Sequence, residues 1–213
     1  MNKTGSFEGL KAFLPEGSFY RVMDYIYHYK VHLTITQNRR TKLGDFSHKS
    51  SNYGNHRISV NGNLNKYAFL ITLIHELAHL IAFEAYGQHI QPHGREWKST
   101  YSQMLKQFAD LHIFPEEILR PLRLLIHKPS ATTAGEVPLQ RALKKFDPPS
   151  QLIALEQLPI NALFGIAGGR TFAKGPLIRK RYQCMELKSK QMYLFQPLAE
   201  VKLLKMPNVQ KDA

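Results

Sequence analysis

From Ala68 to Phe83 every residue is apolar except Thr72, His75, Glu76 and His79. On a helix of about 100° per residue those four fall within an arc of about 100°, while apolar side chains cover the rest of the circumference. A helix that is apolar nearly all round belongs in the middle of a core. The pattern predicts one long buried helix over Lys66 to Tyr86, started by Asn63 or Asn65 as a cap and closed by Gly87. A polar stripe on such a helix needs partners, because unpaired buried polar groups are costly.

The stripe contains His75-Glu76-Leu77-Ala78-His79. Positions i and i+4 differ by about 40° around a helix, so both imidazoles point the same way and can share one zinc ion. Glu76 sits beside that face without being forced onto the metal, placed to take a proton from an activated water. The bland alternative is a pair of core histidines satisfied by hydrogen bonds, with Glu76 in a salt bridge. A catalytic zinc site usually has three protein ligands and an open position. His89, His93 and Glu96 are the candidates for the third ligand. His93 is favoured because it stands at an expected helix start, a rigid place to present a side chain. The longer motif that continues with a glycine and a third histidine is excluded, since Ala82 and Ala85 occupy those positions.

Upstream, Phe7 to Leu14 reads as a short helix ending at Pro15, and Phe19, Val22, Met23 and Ile26 recur at helical spacing. Val31 to Thr36 alternates like a half-buried strand, and Arg57 to Val60 offers a second β-prone run after a polar stretch over 37–56, so a small antiparallel sheet is expected. Downstream, a helix is expected from about His93 and another after Pro115, with Pro121 as a kink or break. Residues 128–137 gather Pro, Ser, Thr, Ala and Gly, the composition of a linker, followed by a short helix PLQRALKKF. Beyond it, 162–167, 177–187 and 192–195 look like strands. The expected class is α+β. Its domains are a helical and small-sheet domain over 1–128, a linker with a short helix over 129–150, and a small basic β-rich module over 151–213.

The chain of 213 residues carries a net charge of +13. The last third is the most basic, with 13 basic against 5 acidic residues over 141–213. DNA or RNA is therefore a candidate partner. The module interleaves Arg179, Lys180, Arg181, Lys188 and Lys190 with Tyr182, Tyr193 and Phe195. That mixture suits phosphate contact and base stacking, or equally a small sheet with a solvated basic face and core aromatics. The single cysteine, Cys184, excludes an internal disulfide and a Cys-rich zinc ribbon, and makes a reducing cytoplasm the expected compartment. No secretory leader is expected from the first residues, and no membrane partner, because the longest apolar run, Tyr67 to Ile74, is far short of the ~20 residues that span a bilayer.

HELAHL, followed after a short loop by PHGREWK, resembles the SprT-like family of zincin-type domains, which also includes the Spartan DNA–protein crosslink proteases. The resemblance extends through RRTKLGDF and RISVN and covers about residues 10–125. It implies a zinc metallopeptidase with one zinc per chain on His75, His79 and His93, Glu76 as the catalytic acid and base, and protein as substrate, including protein on nucleic acid. Trp97 matches the family aromatic, and Gly44 matches a family glycine expected to serve a turn. Many members carry a C-terminal zinc ribbon with paired cysteines, which this chain cannot form. The rival reading is a nucleic-acid-binding protein whose zinc domain is a docking or structural element with little turnover; the presence of Glu76 argues against it.

Overall fold

The computed structural model describes residues 7–37, 39, 42–49, 54–130 and 136–207. The chain divides into two compact units, residues 1–147 and 148–213, and mixes helices with sheets in the expected α+β manner.

The first unit opens with a 3-10 turn, Glu8–Phe13, where an α-helix was expected. Six residues ahead of Pro15 are too few to offset the cost of nucleating an α-helix, and Leu10 and Leu14 anchor the turn in the core instead. Then follow α1 (Phe19–His28), β1 (His32–Thr36), β2 (Gly44–Ser47), β3 (Arg57–Asn61), α2 (Lys66–Tyr86), α3 (Arg95–Ala109), α4 (Glu116–His127) and α5 (Val137–Lys144). The sheet has the order β1-β3-β2. The two expected strands pair parallel, Leu33 with Ile58 and Ile35 with Val60, and not antiparallel. Parallel pairing needs a long crossover, which residues 37–56 supply. Within that crossover lies β2, antiparallel to β3 at the sheet edge. Its sequence GDFS is short and poor in β-formers, so the polar stretch concealed it.

α2 is the axis of the core. Phe69, Leu70, Leu73, Ile74, Leu77, Ala78 and Leu80 have no solvent exposure. Asn65 is the cap, its side chain accepting from the Ala68 N–H at 3.0 Å, and Gly87 closes the helix at φ 81°. By length and composition α2 would suffice to cross a bilayer, but 61% of its apolar window is buried inside the protein. Pro121 lies inside α4 without ending it. The short helix expected in the linker is α5, whose Leu139, Ala142 and Leu143 join the same core. The Asn65 amide also donates to Leu143 O at 3.0 Å and to Asp147 Oδ1 at 2.6 Å, which ties the end of α5 to the start of α2.

The second unit is an antiparallel sheet of order β4-β9-β5-β6-β7-β8. Its strands are β4 (Ile153–Ala154), β5 (Leu163–Gly165), β6 (Thr171–Ile178), β7 (Arg181–Glu186), β8 (Met192–Phe195) and β9 (Glu200–Lys205). The run 177–187 folds as the tip of a hairpin and not as one strand, turning at Arg179, which adopts φ 56°. No Gly, Asn or Asp marks that turn in the sequence. Leu155, Leu158, Ala162, Phe164, Phe172, Cys184 and Val201 form the core, with Cys184 buried and free. Tyr182, Tyr193 and Phe195 are half-buried, packed against that core. Arg179, Lys180, Arg181, Lys188 and Lys190 are exposed.

Candidate metal centre

α2 presents His75 and His79 one turn apart, and the segment between α2 and α3 brings in His93. The three Nε2 atoms form a triangle with sides of 3.1 Å (His75 to His93), 3.3 Å (His75 to His79) and 3.0 Å (His79 to His93). Mutual hydrogen bonding cannot satisfy such a triangle, because each Nε2 offers either one proton or one lone pair. A tetrahedral ion with metal–nitrogen bonds of ~2.0–2.1 Å separates its ligands by about 3.3 Å, so the donor set fits zinc in chemistry and spacing. Among the described residues these histidines are the group that could hold a metal ion. His89 is exposed and Glu96 half-buried, and both lie outside that group, along a groove of about 460 Å³ that also includes Gly94 and Arg95.

His93 is delivered by a β-turn. The Gly94 N–H donates to Gln91 O at 2.8 Å, Pro92 takes the first central position, and His93 takes the second at φ 59°. This is uncommon backbone for a non-glycine residue, of the sort held in place at functional sites. Gly94 is required by close approach, since a Cβ there would lie 2.9 Å from Gln91 O. The helix α3 then begins at Arg95, two residues after the expected start.

Trp97, on the first turn of α3, is the floor under the imidazoles. Its ring centroid lies 4.7, 5.1 and 4.6 Å from those of His75, His79 and His93, and Tyr101 stacks behind it at 4.8 Å. The core reading of Trp97 and its match to the family aromatic are thus compatible, because a buried indole is also the wall of the site. Trp97 Nε1 and Tyr101 Oη are buried and find no hydrogen-bond partner among the described residues. Burial pushes His75 down to about 3, helped by the neighbouring His79 and His93, and His79 down to about 4, helped by His93. His93 is also lowered, by burial and then by Lys98. All three are uncharged at neutral pH, the form that ligates metal.

Glu76 is only 7% exposed. Burial raises its carboxyl to about 8, with Asp45 adding to the effect and Arg39 and Lys42 opposing it. The side chain lies under Gly44 of β2, where a Cβ would meet Glu76 Oε1 at 2.5 Å and Thr72 Cγ2 at 2.8 Å. Gly44 therefore serves a close approach of strand to helix and not the expected turn. Among the described residues, no strand pairs with the outer edge of β2. Leu43 O accepts from the Asn61 N–H, and bonded pairs alternate along an antiparallel ladder, so the peptide groups of Gly44 and Phe46 point away from β3.

The first unit is thus an α+β domain with a three-histidine centre on its core helix and a buried glutamate beside it. Residues 20–117 match the model of the SprT-like family, so the resemblance carried by HELAHL and PHGREWK holds over that segment, and the family suggests a zincin-type, metallopeptidase-like domain. A 27-residue stretch is 59% identical to Protein SprT of Pseudomonas fluorescens strain SBW25, and a stretch of the same length is equally identical to Protein SprT of strain ATCC BAA-477 / NRRL B-23932 / Pf-5. Each match covers 13% of this chain and 16% of the relative, so the chain spans a small part of the curated relatives' length. No solved structure matches the chain.

Proposed function

We propose that the protein is a zinc-dependent metallopeptidase with one zinc held by His75, His79 and His93 and with Glu76 as general base. The observation that carries this reading is the triangle of three Nε2 atoms with a buried carboxyl one residue from His75. Zinc bound there would supply a Lewis acid that polarises a scissile carbonyl and makes water nucleophilic at neutral pH. Glu76, in its carboxylate form, accepts the proton of the attacking water and returns it to the leaving amine. The open edge of β2 offers the Gly44 and Phe46 peptide groups to an extended polypeptide, which would add as a further strand. Trp97 excludes water from one side of the imidazoles.

The test is cleavage of casein by zinc-loaded protein, by protein stripped with a chelator, and by stripped protein given zinc again. Loss on stripping and recovery on reloading is the expected result. Equal cleavage with and without metal would overturn the proposal, and no cleavage in any state would favour the docking or structural reading.

Substrates associated with nucleic acid are part of the same proposal, supported by the exposed Arg179, Lys180 and Arg181 at the β6–β7 turn and by Lys188 and Lys190 beyond β7. Because Tyr182, Tyr193 and Phe195 are half-buried against the core, such binding would rest more on phosphates than on base stacking. Affinity for single-stranded and duplex DNA should then fall steeply with salt, by ~10³-fold or more between 50 and 200 mM if six or more phosphates are neutralised. Glutamine at Arg179, Lys180 and Arg181 should flatten that slope by about one for each phosphate contact removed. A slope that is shallow in the native protein, or that the substitutions leave alone, would show the charge to be a solvated surface.

A further inference from the structure

We infer that Asn61 is a positioning residue for the proposed hydrolysis, fixing the segment that delivers β2 to Glu76 and so setting where an extended substrate can lie. The inference rests on the metallopeptidase reading above. Asn61 ends β3 and has no solvent exposure. A buried amide is costly unless its hydrogen-bonding capacity is used, and all four of its places are filled. Nδ2 donates to Arg39 O at 3.2 Å and to Lys42 O at 3.1 Å. Oδ1 accepts from Thr36 Oγ1 at 3.1 Å and from Arg39 Nε at 2.8 Å. The backbone N–H of Asn61 donates to Leu43 O at 2.9 Å, and the Arg39 guanidinium reaches on to Ser59 Oγ at 3.0 Å.

These bonds hold both ends of one connection, Thr36 where β1 stops and Leu43 just before β2 starts. The residue after Leu43 is Gly44, whose approach to Glu76 leaves no room for a Cβ. A displacement of a few tenths of an ångström in the held segment therefore moves the edge strand relative to the carboxyl it covers. Asn61 itself belongs to β3 and is outside the histidine cluster. Its effect passes through the position of β2, which forms one wall of the proposed cleft.

Asn61→Asp keeps the shape and the two accepting bonds but removes both donors and sets a carboxylate oxygen against the carbonyls of Arg39 and Lys42. The experiment uses full-length, zinc-loaded protein, with casein cleavage and amide hydrogen exchange as readouts. The expected result is at least ~10-fold faster exchange at the Asp45 and Ser47 amides, which face β3, with α2 and the zinc content unchanged. The KM for casein should rise at least ~10-fold while kcat changes by less than ~3-fold. Unchanged KM in a native-like variant overturns this role while leaving the metallopeptidase reading in place. Failure of the native protein to cleave casein overturns both. Should Asn61→Asp fail to fold, Thr36→Val, which removes one bond to the amide, should raise KM by ~3-fold or more in the same direction. No rise in that variant, or a loss of zinc in step with any rise, overturns the role.

Discussion

Alanine in place of His75 or His79 should reduce the zinc content of the purified protein from about one equivalent per chain to a small fraction, with affinity at least ~100-fold weaker. Loss of a partner outside the ligand set already costs 10–100-fold in such sites, and a ligand itself costs more. Two imidazoles on α2 cannot close the coordination alone, since the third corner of the triangle comes from His93 on a separate turn. His93→Ala should therefore lose zinc as well, whereas Glu96→Ala should retain it. Trp97 is the chain's one tryptophan and lies within about 5 Å, ring to ring, of all three imidazoles. Its fluorescence should follow titration with zinc, and with quenching cobalt, in the native protein and in Glu96→Ala but not in the histidine variants. Full zinc in His93→Ala together with loss in Glu96→Ala would reassign the third ligand.

Glu76→Gln should keep zinc and the fold but lose hydrolysis by at least ~10²-fold, because an amide cannot accept the proton of the attacking water. The substitution changes little in volume, which matters at a residue covered by Gly44 and Thr72. Its effect on stability has a defined sign in metal-free protein. A carboxyl raised in the folded state to about 8, from the ordinary 4.5, contributes stability at low pH that is lost as pH rises through that interval. Metal-free Glu76→Gln should accordingly lose less stability than the native chain between those two values, as read by denaturant titration at each pH. Casein cleavage that survives in zinc-loaded Glu76→Gln would remove the glutamate from the mechanism, whatever the stability shows.

The two expectations are legible to different degrees. His75, Glu76 and His79 lie on one helix, whose period alone puts the two imidazoles on one stripe and the carboxyl beside it. The apolar residues around them say that the stripe is buried, whereas the choice between Asn63 and Asn65 as the cap is made only by the structure. His93 is harder to read, because its arrival depends on a turn whose signals are only Pro92 and Gly94, and because His89 and Glu96 lie in the same stretch of chain. For Gly44 the sequence suggests a turn, and the structure places it in a strand. Nothing local in GDFS reveals that a strand passes over Glu76, and the close approach that demands a glycine exists only between two elements.

Local periodicity and composition determined the helices, the central place of α2, the motif on its polar stripe and the basic character of the last third of the chain. Those are properties of neighbours in sequence, fixed by 3.6 residues per turn and by the cost of burying polar groups. Tertiary structure alone decided the parallel pairing of β1 with β3, the edge position of β2, the inclusion of α5 in the first unit and the partial burial of Tyr182, Tyr193 and Phe195. Each depends on which surfaces meet after long stretches of chain close. Such meetings are selected by packing and by hydrogen bonds like those of Asn61, which join residues some twenty positions apart and leave no period in the sequence.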